Sequence, residues 1–450
     1  IMYTIYIFRR DLRLEDNLGF QYAMNNCKNI IPIFIFTPEQ VKKNEFKSEN
    51  AIQFMIESLK DLNSNLEKHK SKLYIFQGNN IKILEKIHTK LGINNIVFNE
   101  DYTPYAKKRD TDIEKFCSKN KIQCHKNHDY LLAEIGTFLK ADGNPYTVYT
   151  PFKNNAMKFK IEKPKSLKVK NLAKPKLLDD GYISNPINPY ILVRAGRINA
   201  LKQLKLIKEQ KKYNDNRNEL SIPTSQLSAY IKFGNISIRE AYWAIIDNLG
   251  IQNDLIPQLI WREFYYYIAN YFHHVLNQEN FNPKYNNVKW NNNPKFFKAW
   301  CEGKTGVPVV DAGMRQLNKT GYMHNRARLI TANYLNRILG CDWRLGEKYY
   351  ASQLTDYDPS VNNGNWQWIA STGVDPKPYF QRLFNPWLQS KKSDKNCEYI
   401  KFWIPELKEV PNKEIHEWEK YCDKYDCYIN PIRDYKEGRA ESVKMYKAVL

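Results

Sequence analysis

Residues 30–36 have the sequence IIPIFIF, an unbroken apolar run that is short enough to be a strand buried on both faces. Similar apolar, β-branched runs occur at residues 3–8, 72–76 and 95–98. Between these runs, residues 51–66 and 81–91 carry apolar side chains at three- and four-residue spacing, which is typical of helices. Strands that alternate with helices predict a Rossmann-like α/β domain with a parallel sheet and helices on both of its faces.

The first predicted strand is not followed by the glycine-rich GxGxxG turn that marks many dinucleotide sites. The α/β part therefore carries no dinucleotide fingerprint, and a bound dinucleotide is expected elsewhere in the chain.

The second half of the chain has a different pattern. From about residue 190 the strand patterns end, and helical patterns follow at residues 236–248, 255–272, 314–317, 326–339 and 345–354. Between the halves, residues 158–176 hold eight lysines, one glutamate and two prolines without periodicity, which is typical of a solvated basic linker. The sequence therefore predicts an α/β domain at 1–130, a basic interdomain linker at 131–190 and an all-α domain at 191–450.

Charge and aromatic content indicate the kind of partner. The chain has 450 residues, and its 69 Lys and Arg against 48 Asp and Glu give a net charge of +21. Such a charge favours a polyanionic partner, and an aromatic fraction of 14% offers planar rings for stacking. Together these features predict binding to nucleic acid.

Composition also excludes two classes of protein. Hydrophobic and charged fractions of 42% and 26% exclude wholesale disorder, and no apolar run approaches the ~18 residues that span a bilayer.

The N-terminal residues and the cysteines bear on the compartment. The sequence IMYTIYIFRRDLRLED has no apolar segment followed by a small-residue cleavage site, so we expect a protein that is not secreted and works inside the cell, in the cytoplasm or nucleus. The eight cysteines lack the spacing of zinc ligands, which predicts free thiols and no metal site.

Two stretches of the helical half carry side chains that could bind a ligand. Residues 223–228, PTSQLS, place a cluster of hydroxyls where a helical pattern begins. A Thr or Ser at a helix N-cap satisfies free backbone N–H groups, and the same groups can bind a phosphate; by itself the stretch favours an ordinary capped helix. Gln258 and Trp261 share a helix face, which places an amide beside a flat ring, although a buried anchoring Trp is the better interpretation of this pair alone.

A third set of residues brings arginines and carboxylates together. Asn325 and Leu329 share a helix face that Arg326 and Arg328 flank, and arginines on an apolar helix need phosphate or carboxylate partners. Carboxylates follow at residues 356–358, DYD. The tryptophans of the sequence WQW at 366–368 would point about 200° apart on a helix, so that one can face a ligand and the other the core.

These motifs, in this order, resemble the photolyase/cryptochrome family, and specifically the class I-type cyclobutane pyrimidine dimer photolyases. The resemblance covers essentially the whole chain. The sequences that carry it are FRRDLRLEDN at 8–17, TSQLSAYIKFG at 224–234, WREFYYY at 261–267, TGYMHNRARLITA at 320–332, NNGNWQWIASTG at 362–373 and FNP at 384–386.

The resemblance implies an antenna-type α/β domain followed by a helical catalytic domain that holds FAD in a bent form. It implies that Arg328 pairs with Asp356 beside the isoalloxazine and that Asn362 faces flavin N5. A neutral amide there hydrogen-bonds the ring without forcing a proton onto it, which suits an active reduced anionic FAD. The residues that the resemblance assigns to FAD are Tyr213, Thr224, Ser225, Leu227, Ser228, Asn325, Arg328, Asp356, Asp358 and Asn362.

The activity that the resemblance implies is that of a deoxyribodipyrimidine photo-lyase, a carbon–carbon lyase that repairs UV-damaged DNA. Reduced FAD, excited by blue or near-UV light, would pass an electron to a flipped-out cyclobutane dimer, and the dimer would split into two pyrimidines. The implied catalytic residues around the dimer are Gln258, Trp261, Asn325, Leu329 and Trp368; those at DNA phosphates are Arg262, Arg326 and Arg382; and those that relay electrons to oxidised FAD are Trp366, Trp343 and Trp290.

One departure bears on the lesion. Gln258 stands where dimer photolyases usually carry Glu, and six-four photoproduct photolyases are similar to this chain at that position. Those enzymes use two histidines where this chain has Asn325 and Leu329, and neither residue can protonate a lesion, which favours the dimer. A six-four photolyase and a cryptochrome-like photosensor stay as alternatives, although no long tail follows Pro431. A further alternative is a nucleic-acid-binding protein without light chemistry.

The resemblance leaves the identity of a second, antenna chromophore open. Ala106 stands where some relatives have a folate-contacting Glu, which weighs against folate. A deazaflavin, another flavin and the absence of any antenna stay open as alternatives. The family resemblance also implies a monomer.

Overall fold

The computed structural model describes residues 2–42, 44–374 and 379–450 of the chain. These residues form two compact units that are interleaved along the sequence. The first comprises Ile1–Ile187, Val193–Gln210 and Ser225–Tyr271, and the second comprises Asn188–Leu192, Lys211–Thr224 and Phe272–Leu450. The three contiguous ranges predicted from the sequence, 1–130, 131–190 and 191–450, stay a prediction.

A parallel sheet of five strands forms the centre of the first unit, in the order β3-β2-β1-β4-β5, and confirms the predicted Rossmann-like α/β fold. Four strands coincide with the predicted apolar runs. The fifth was not predicted, because its sequence QCHKN is polar and only partly buried at the edge of the sheet. The strands are β1 (Tyr3–Ile7), β2 (Ile30–Phe36), β3 (Tyr74–Gln77), β4 (Ile93–Asn99) and β5 (Gln123–Asn127).

The helices of the described residues are, in chain order, α1 (Leu18–Asn26), α2 (Pro38–Val41), α3 (Glu49–Lys68), α4 (Asn80–Leu91), α5 (Pro104–Lys119), α6 (Tyr149–Ala156), α7 (Arg197–Lys205), α8 (Tyr213–Asn216), α9 (Ser228–Phe233), α10 (Ile238–Leu249), α11 (Leu255–Tyr271), α12 (Pro294–Glu302), α13 (Pro308–Thr320), α14 (Asn325–Asn333), α15 (Trp343–Gln353), α16 (Pro359–Ala370), α17 (Pro386–Ser393), α18 (Glu398–Trp403), α19 (Asn412–His416), α20 (Trp418–Tyr421) and α21 (Tyr435–Lys447). A short π-helical segment, Tyr334–Ile338, continues α14, and 3-10 turns occupy Leu206–Lys212, His273–Asn277, Pro283–Asn287, Tyr379–Arg382, Pro405–Leu407 and Cys422–Lys424.

Helices cover both faces of the sheet, as the alternating pattern predicts. Ile5 and Ile7 of β1 belong to an apolar core shared with Ile87 of α4 and Ile113 of α5. Between them, Tyr6 contacts Phe20 of α1, with ring centroids 5.0 Å apart. Successive residues of a strand point to opposite faces, so α1 lies on one face and α4 and α5 lie on the other.

The described residues of the second unit form helices and loops only, which confirms the predicted all-α C-terminal domain. Its core is rich in aromatic side chains, and Trp300, Trp343 and Trp418 are fully buried in it. The same core joins α14, α15 and α16, which carry eight of the helical half's predicted site residues.

None of the helices in the described ranges combines the length and apolarity needed to cross a membrane. In the same part of the chain, no three His, Cys, Asp or Glu side chains are grouped so that they could hold a metal ion. The eight cysteines are free, as predicted, and five of them are buried.

Candidate active site

A partly buried ion pair in the second unit joins two of the predicted site residues. Nη2 of Arg328 on α14 donates to Oδ2 of Asp356 at 2.9 Å, and Nε of Arg328 donates to the carbonyl of Met323 at the same distance. Burial alone would lower the pKa of Arg328, but the charge of Asp356 and its hydrogen bond outweigh burial, so that the pKa is raised. The predicted Arg328–Asp356 pair is therefore present, and the guanidinium stays charged at any pH at which the protein folds.

The same pair lies near Thr224, the residue of the hydroxyl-rich stretch at which a segment of the second unit ends. The ring of Tyr322 is 5.6 Å from the guanidinium carbon of Arg328. Burial raises the pKa of Tyr322, and the side chain of Thr224, close to its hydroxyl, lowers it. A continuous polar cluster thus runs from Thr224 through Tyr322 and Arg328 to Asp356.

Three buried polar atoms around this cluster have no hydrogen-bond partner among the described residues. They are Oδ1 of Asp356, Oγ1 of Thr355 and Nε2 of His324. Nδ1 of His324 accepts from the backbone N–H of Arg326 at 3.1 Å, so the proton of the neutral ring lies on Nε2. Burial, followed by the charges of Arg328 and Arg326, lowers the pKa of His324 to about 4. Because an unpaired buried polar atom costs about 1–3 kcal/mol, these atoms fit a polar ligand such as FAD.

The predicted flavin-facing amide is held by α15. Nδ2 of Asn362 donates to the carbonyl of Glu347 at 3.1 Å, and Nδ2 of Asn363 donates to the carboxylate of Glu347 at 3.0 Å. Burial raises the pKa of Glu347 to about 7, although hydrogen bonds from Gln278 and Asn363 lower it. Asp358 accepts the first free N–H groups of α16, which fixes the start of the helix that carries Asn362.

The expected capped helix at residues 223–228 is not formed. α9 begins only at Ser228, and its N-cap, Leu227, makes no side-chain cap bond. Gln226 has a left-handed backbone with φ of 52°, which places Thr224 and Ser225 outside the helix. Their hydroxyls therefore do not serve as helix caps. Tyr213, also assigned to FAD, is buried in α8 of the second unit.

In the first unit, α11 presents Gln258 and Trp261 one turn apart, as predicted, and both are partly buried. Trp261 is therefore not the fully buried, helix-anchoring Trp that the pair alone favoured. The ring of Tyr149 lies flat on it, with centroids 3.5 Å apart, and the hydroxyl of Tyr149 donates to the carbonyl of Pro257 at 2.8 Å. One face of Trp261 is therefore covered by protein.

Arg262, predicted to contact a phosphate, is engaged inside the first unit. Its Nη1 donates to the carbonyl of Tyr130 at 2.6 Å, and its guanidinium carbon lies 4.8 Å from the ring centre of Tyr266. The neighbouring Glu263 is fully buried and accepts from the backbone N–H of Leu132 at 3.0 Å. Burial raises the pKa of Glu263 to about 8, although Arg262 and that N–H lower it.

On α14, Asn325 is exposed at the first turn and Leu329, one turn later, is partly buried against the core. Nε of Arg326 donates to Oδ1 of Asn218 at 3.0 Å. Burial, and then the charge of Arg217, lower the pKa of Arg326. Two arginines thus lie together on this side of the second unit, which is an arrangement that favours an anion.

Trp368 and Arg382 form a stacked pair in the second unit. The guanidinium carbon of Arg382 lies 3.9 Å from the ring centre of Trp368, and Nη1 donates to the carbonyl of Trp368. Arg382 is only 3% exposed, so its charge acts on the ring rather than directly on solvent.

The three tryptophans assigned to an electron relay differ in burial. Trp343 is fully buried, and its Nε1 donates to Asn280 at 3.0 Å. Trp366 is 2% exposed and contacts Tyr350 edge to face at 4.8 Å. Trp290 is partly exposed and packs edge to face on Tyr446 at 6.0 Å. The set thus includes both buried and surface-accessible rings.

The geometry agrees with two family-level matches that together span most of the chain. Residues 4–170 match the sequence model of the family described as DNA photolyase, and residues 255–448 match that described as the FAD binding domain of DNA photolyase. The chain belongs to the DNA photolyase family. FAD is accordingly the cofactor for which the polar cluster of this photolyase-family chain is suited.

Relatives of known name or structure match over nearly their full length. The deoxyribodipyrimidine photo-lyase of Escherichia coli strain K12 is 33% identical over 470 aligned residues, which cover 98% of each chain. The crystal structure of an archaeal photolyase from Sulfolobus tokodaii, which contains two FAD molecules, superposes with a TM-score of 0.87 at 38% identity and covers 99% of this chain and 100% of that one. A bacterial class III photolyase from Agrobacterium tumefaciens superposes with a TM-score of 0.91 at 31% identity, over 100% and 98% of the two chains.

Several residues of this photolyase-family site were not singled out from the sequence. Tyr149 and Tyr322 are two of 31 tyrosines, and nothing in their local spacing marks them. His324 and Glu347 become notable only through burial, which raises or lowers their pKa values. The sequence TGYMHNRARLITA carried a signal for two of them, since Tyr322 and His324 lie inside that motif.

Proposed function

We propose that this protein is a deoxyribodipyrimidine photo-lyase, which uses light and reduced FAD to split cyclobutane pyrimidine dimers in UV-damaged DNA. One observation carries the proposal: three residues that the family resemblance assigns to FAD, Thr224, Arg328 and Asp356, lie with Tyr322 in one partly buried polar cluster, around which polar atoms are left for a ligand. The E. coli relative of matching length bears the name of this activity.

The polar cluster suits a negatively charged flavin. When bound, reduced FAD supplies a light-excited electron to the dimer and regains it after the ring has opened. Arg328 places a permanent positive charge at the cluster, which favours an anionic ring system. Asn362, held by α15, offers a neutral amide that neither takes up nor releases a proton near pH 7. We assign the remaining flavin contacts to Tyr213, Ser225, Leu227, Ser228, Asn325 and Asp358.

The lesion contacts follow from side-chain chemistry. Stacking on an aromatic ring stabilises a base that has left the duplex, and a damaged, weakly paired base costs least to extrude. Trp261 in the first unit and Trp368 in the second are the proposed stacking rings. Gln258, Asn325 and Leu329 offer an amide, a second amide and an apolar surface to the lesion.

DNA binding is proposed to be electrostatic, because the net charge of +21 favours a polyanion. Arg326 is the strongest phosphate candidate, since it is partly exposed and accompanied by Arg217. The guanidinium of Arg262 donates to the carbonyl of Tyr130, and that of Arg382 stacks on the ring of Trp368. A phosphate that binds either arginine would therefore use a guanidinium that already contacts the protein. We propose a monomer that works wherever the cell keeps its DNA.

Electron supply to oxidised FAD is assigned to Trp366, Trp343 and Trp290. The buried indoles suit an inner relay, and the partly exposed Trp290 suits exchange with a reductant in solution.

A second chromophore is proposed at the carboxyl edge of the sheet, between β1 and β4, where the strand order reverses. Arg9 follows β1, Arg109 lies on α5, and both pair with Asp110 at 2.9 Å. The Nη2 atom of each of these two arginines is buried and has no hydrogen-bond partner among the described residues. Two such donors fit the phosphate of a flavin nucleotide, and the S. tokodaii relative holds two FAD molecules. Chromatography of the released chromophores should give more than one flavin per chain.

The decisive experiment follows a defined thymine dimer in an oligonucleotide by chromatography, with fully reduced protein, in blue light and in the dark. Light-dependent recovery of intact thymines is the expected result. A six-four substrate, which Gln258 favours, is run in parallel. If only the six-four substrate is repaired, six-four repair replaces the dimer activity as the proposed function. If neither substrate is repaired with FAD bound and reduced, light sensing replaces it.

Arg326→Gln provides the test of the phosphate contact. We expect it to weaken binding to dimer-containing DNA and to flatten the salt dependence by about one unit of slope. Arg315→Gln is the matched control, because Arg315 in the same unit is engaged with Glu406 at 2.8 Å.

A further inference from the structure

Residues 158–176, which the sequence predicts as a solvated linker, are held along the first unit as an extended segment, here called the lysine strap. The backbone N–H of Lys165 donates to Oδ1 of Asp16 at 2.9 Å, and the N–H of Asp16 donates to the carbonyl of Lys165 at 3.2 Å. Further along, Ile30 donates to the carbonyl of Asn171 and Ala173 donates to the carbonyl of Ile30, both at 2.8 Å. The strap is therefore ordered before any partner binds.

The end of the strap is fixed against the edge of the sheet. The hydroxyl of Tyr74 donates to the carbonyl of Pro175 at 2.6 Å, and the N–H of Ile75 donates to the carboxylate of Asp179 at 3.0 Å. β3 is an edge strand, so this segment occupies hydrogen-bonding groups that would otherwise face solvent. The strap is therefore held in place by its backbone, and this leaves its exposed lysine side chains to be accounted for.

All eight lysines of the strap are exposed, and the segment contains a single acidic residue, Glu162. Among the residues that the structure describes, Lys165 is the one lysine of the strap that pairs with a carboxylate, that of Glu162 at 2.6 Å. Lys163 lies 4.9 Å from the ring centre of Trp243. Within the described ranges, no carboxylate lies within ion-pair distance of the other lysines of the strap. These are Lys158, Lys160, Lys168, Lys170, Lys174 and Lys176.

The spacing of the lysines forms a row rather than a cluster. Neighbouring lysines are two to four residues apart from 158 to 176. Two residues of extended chain span about 6.6 Å, which is about twice the 3.4 Å rise per phosphate along one strand of a duplex. A linear, regularly charged polyanion can meet such a row at several points, whereas a single small anion can meet only one or two of its lysines.

We propose that the lysine strap is a second contact for the phosphate backbone of duplex DNA, independent of sequence and of damage. Because the strap is already ordered, binding costs little chain entropy, and each lysine that meets a phosphate releases a counterion. The choice of DNA among polyanions rests on the proposed function. The role of the strap is to keep the protein on undamaged DNA, where it spends its time between lesions.

The test measures binding of an undamaged fluorescein-labelled DNA duplex over a series of salt concentrations. The strap variant replaces Lys168, Lys170, Lys174 and Lys176 by Gln. Each phosphate contact contributes about 0.9 to the slope of log affinity against log salt, so we expect the loss of four contacts to lower the slope by about 3.6. Replacing the same four residues by Arg should restore it. The control variant replaces Lys68, Lys82, Lys86 and Lys90, exposed lysines of α3 and α4, by Gln and should leave the slope within one unit of the parent.

Two results would overturn the proposal. One is a strap variant with the slope of the parent; the other is a control variant that loses as much as the strap variant, since net charge alone would then explain the effect. Loss of binding to phosphatidylserine vesicles with unchanged DNA binding would overturn it as well and assign the strap to a membrane surface.

Repair of a short dimer-containing oligonucleotide at saturating concentration separates this proposal from the proposed function. We expect the strap variant to repair it like the parent. A parent protein that shows the strap-dependent slope but no light-driven repair would remove the proposed function and leave the strap as a DNA contact.

Discussion

The ring of Tyr149 lies flat against the indole of Trp261, with centroids 3.5 Å apart and planes inclined by only 7°. The hydroxyl of Tyr149 is tied to the carbonyl of Pro257, one turn earlier on the same helix as Trp261. Tyr149 therefore spans a turn of α11 and fixes the plane of the indole. A stacking ring whose plane is fixed loses less entropy when a base binds to its other face.

Removal of this support is expected to weaken lesion binding. Tyr149→Leu should lower the affinity for dimer-containing DNA by about two- to tenfold, since an aromatic pair contributes about 0.5–1.5 kcal/mol, and should shift the fluorescence of Trp261. Tyr149→Phe retains the stack and should bind within about twofold of the parent. Tyr146→Leu is the control, because Tyr146 packs on Phe152 instead. Equal affinities for the Leu variant and the parent would show that the stack is only structural.

The proposed electron relay depends on a close packing of two helices. Trp366 lies against α15 at Gly346, where an added Cβ would overlap Cη2 of the indole and come within 2.7 Å of Leu335. We expect Gly346→Ala to lower the free energy of unfolding by about 1–3 kcal/mol and to slow the light-driven reduction of bound oxidised flavin, followed by absorbance. Trp366→Phe should slow the same reduction with a smaller loss of stability. Photoreduction at the parental rate in both variants would remove Trp366 from the relay.

The pair Arg328–Asp356 should matter for stability and for flavin retention. Asp356→Asn leaves a largely buried guanidinium without its carboxylate, and we expect a loss of about 3 kcal/mol in unfolding free energy and release of flavin on dilution. Glu406→Gln removes the partner of Arg315 on the surface and should cost less than about 1 kcal/mol. Denaturant unfolding of the flavin-free protein, together with flavin absorbance after gel filtration, measures both effects. Asp356→Asn with the stability of the Glu406 variant would contradict the assignment.

The buried carboxyl of Glu263 predicts a pH dependence of stability. Burial raises its pKa to about 8 from a usual value near 4.5, so the folded protein binds a proton that the unfolded chain releases at lower pH. The resulting stabilisation is complete below about pH 4.5 and is lost as the pH rises through about 8. Between these limits the slope is about 1.4 kcal/mol per pH unit.

Glu263→Gln provides the measurement. The variant keeps a side chain of the same shape that cannot ionise, so the unfolding free energy between pH 5 and 8 should fall less steeply than in the parent. Glu398→Gln, a substitution at an exposed position, serves as the control. Parallel pH profiles for parent and Glu263→Gln would mean that Glu263 is ionised in the folded protein.

Gln258 offers a test of the lesion contact. Glutamine donates and accepts hydrogen bonds but carries no charge and cannot supply a proton. Gln258→Glu should therefore increase the yield of dimer repair per absorbed photon, measured on the same oligonucleotide with fully reduced flavin. Equal yields would show that the amide is as effective as the acid at this position.

Periodicity was sufficient for the regular parts of the fold. Four strands coincide with apolar runs, and the helix that carries Asn325 and Leu329 lies where a three- and four-residue pattern predicts it. β5 was missed because an edge strand with the sequence QCHKN has no apolar signal. The start of α9 was predicted too early, near Thr224, because Gln226 adopts a left-handed backbone conformation. The hydroxyl-rich sequence gives no indication of that conformation.

The sequence by itself determined the parallel α/β sheet, the helical second half, the family and the set of residue types at the site, because these depend on periodicity and on the order of motifs along the chain. Only the tertiary structure decided which of them meet. Tyr149 reaches Trp261, Thr224 reaches Tyr322, and Lys165 is fixed to Asp16 across long stretches of sequence. Such pairings, and the pKa values of Glu263 and His324, depend on burial and on distances in space. Local sequence patterns contain no information on either quantity.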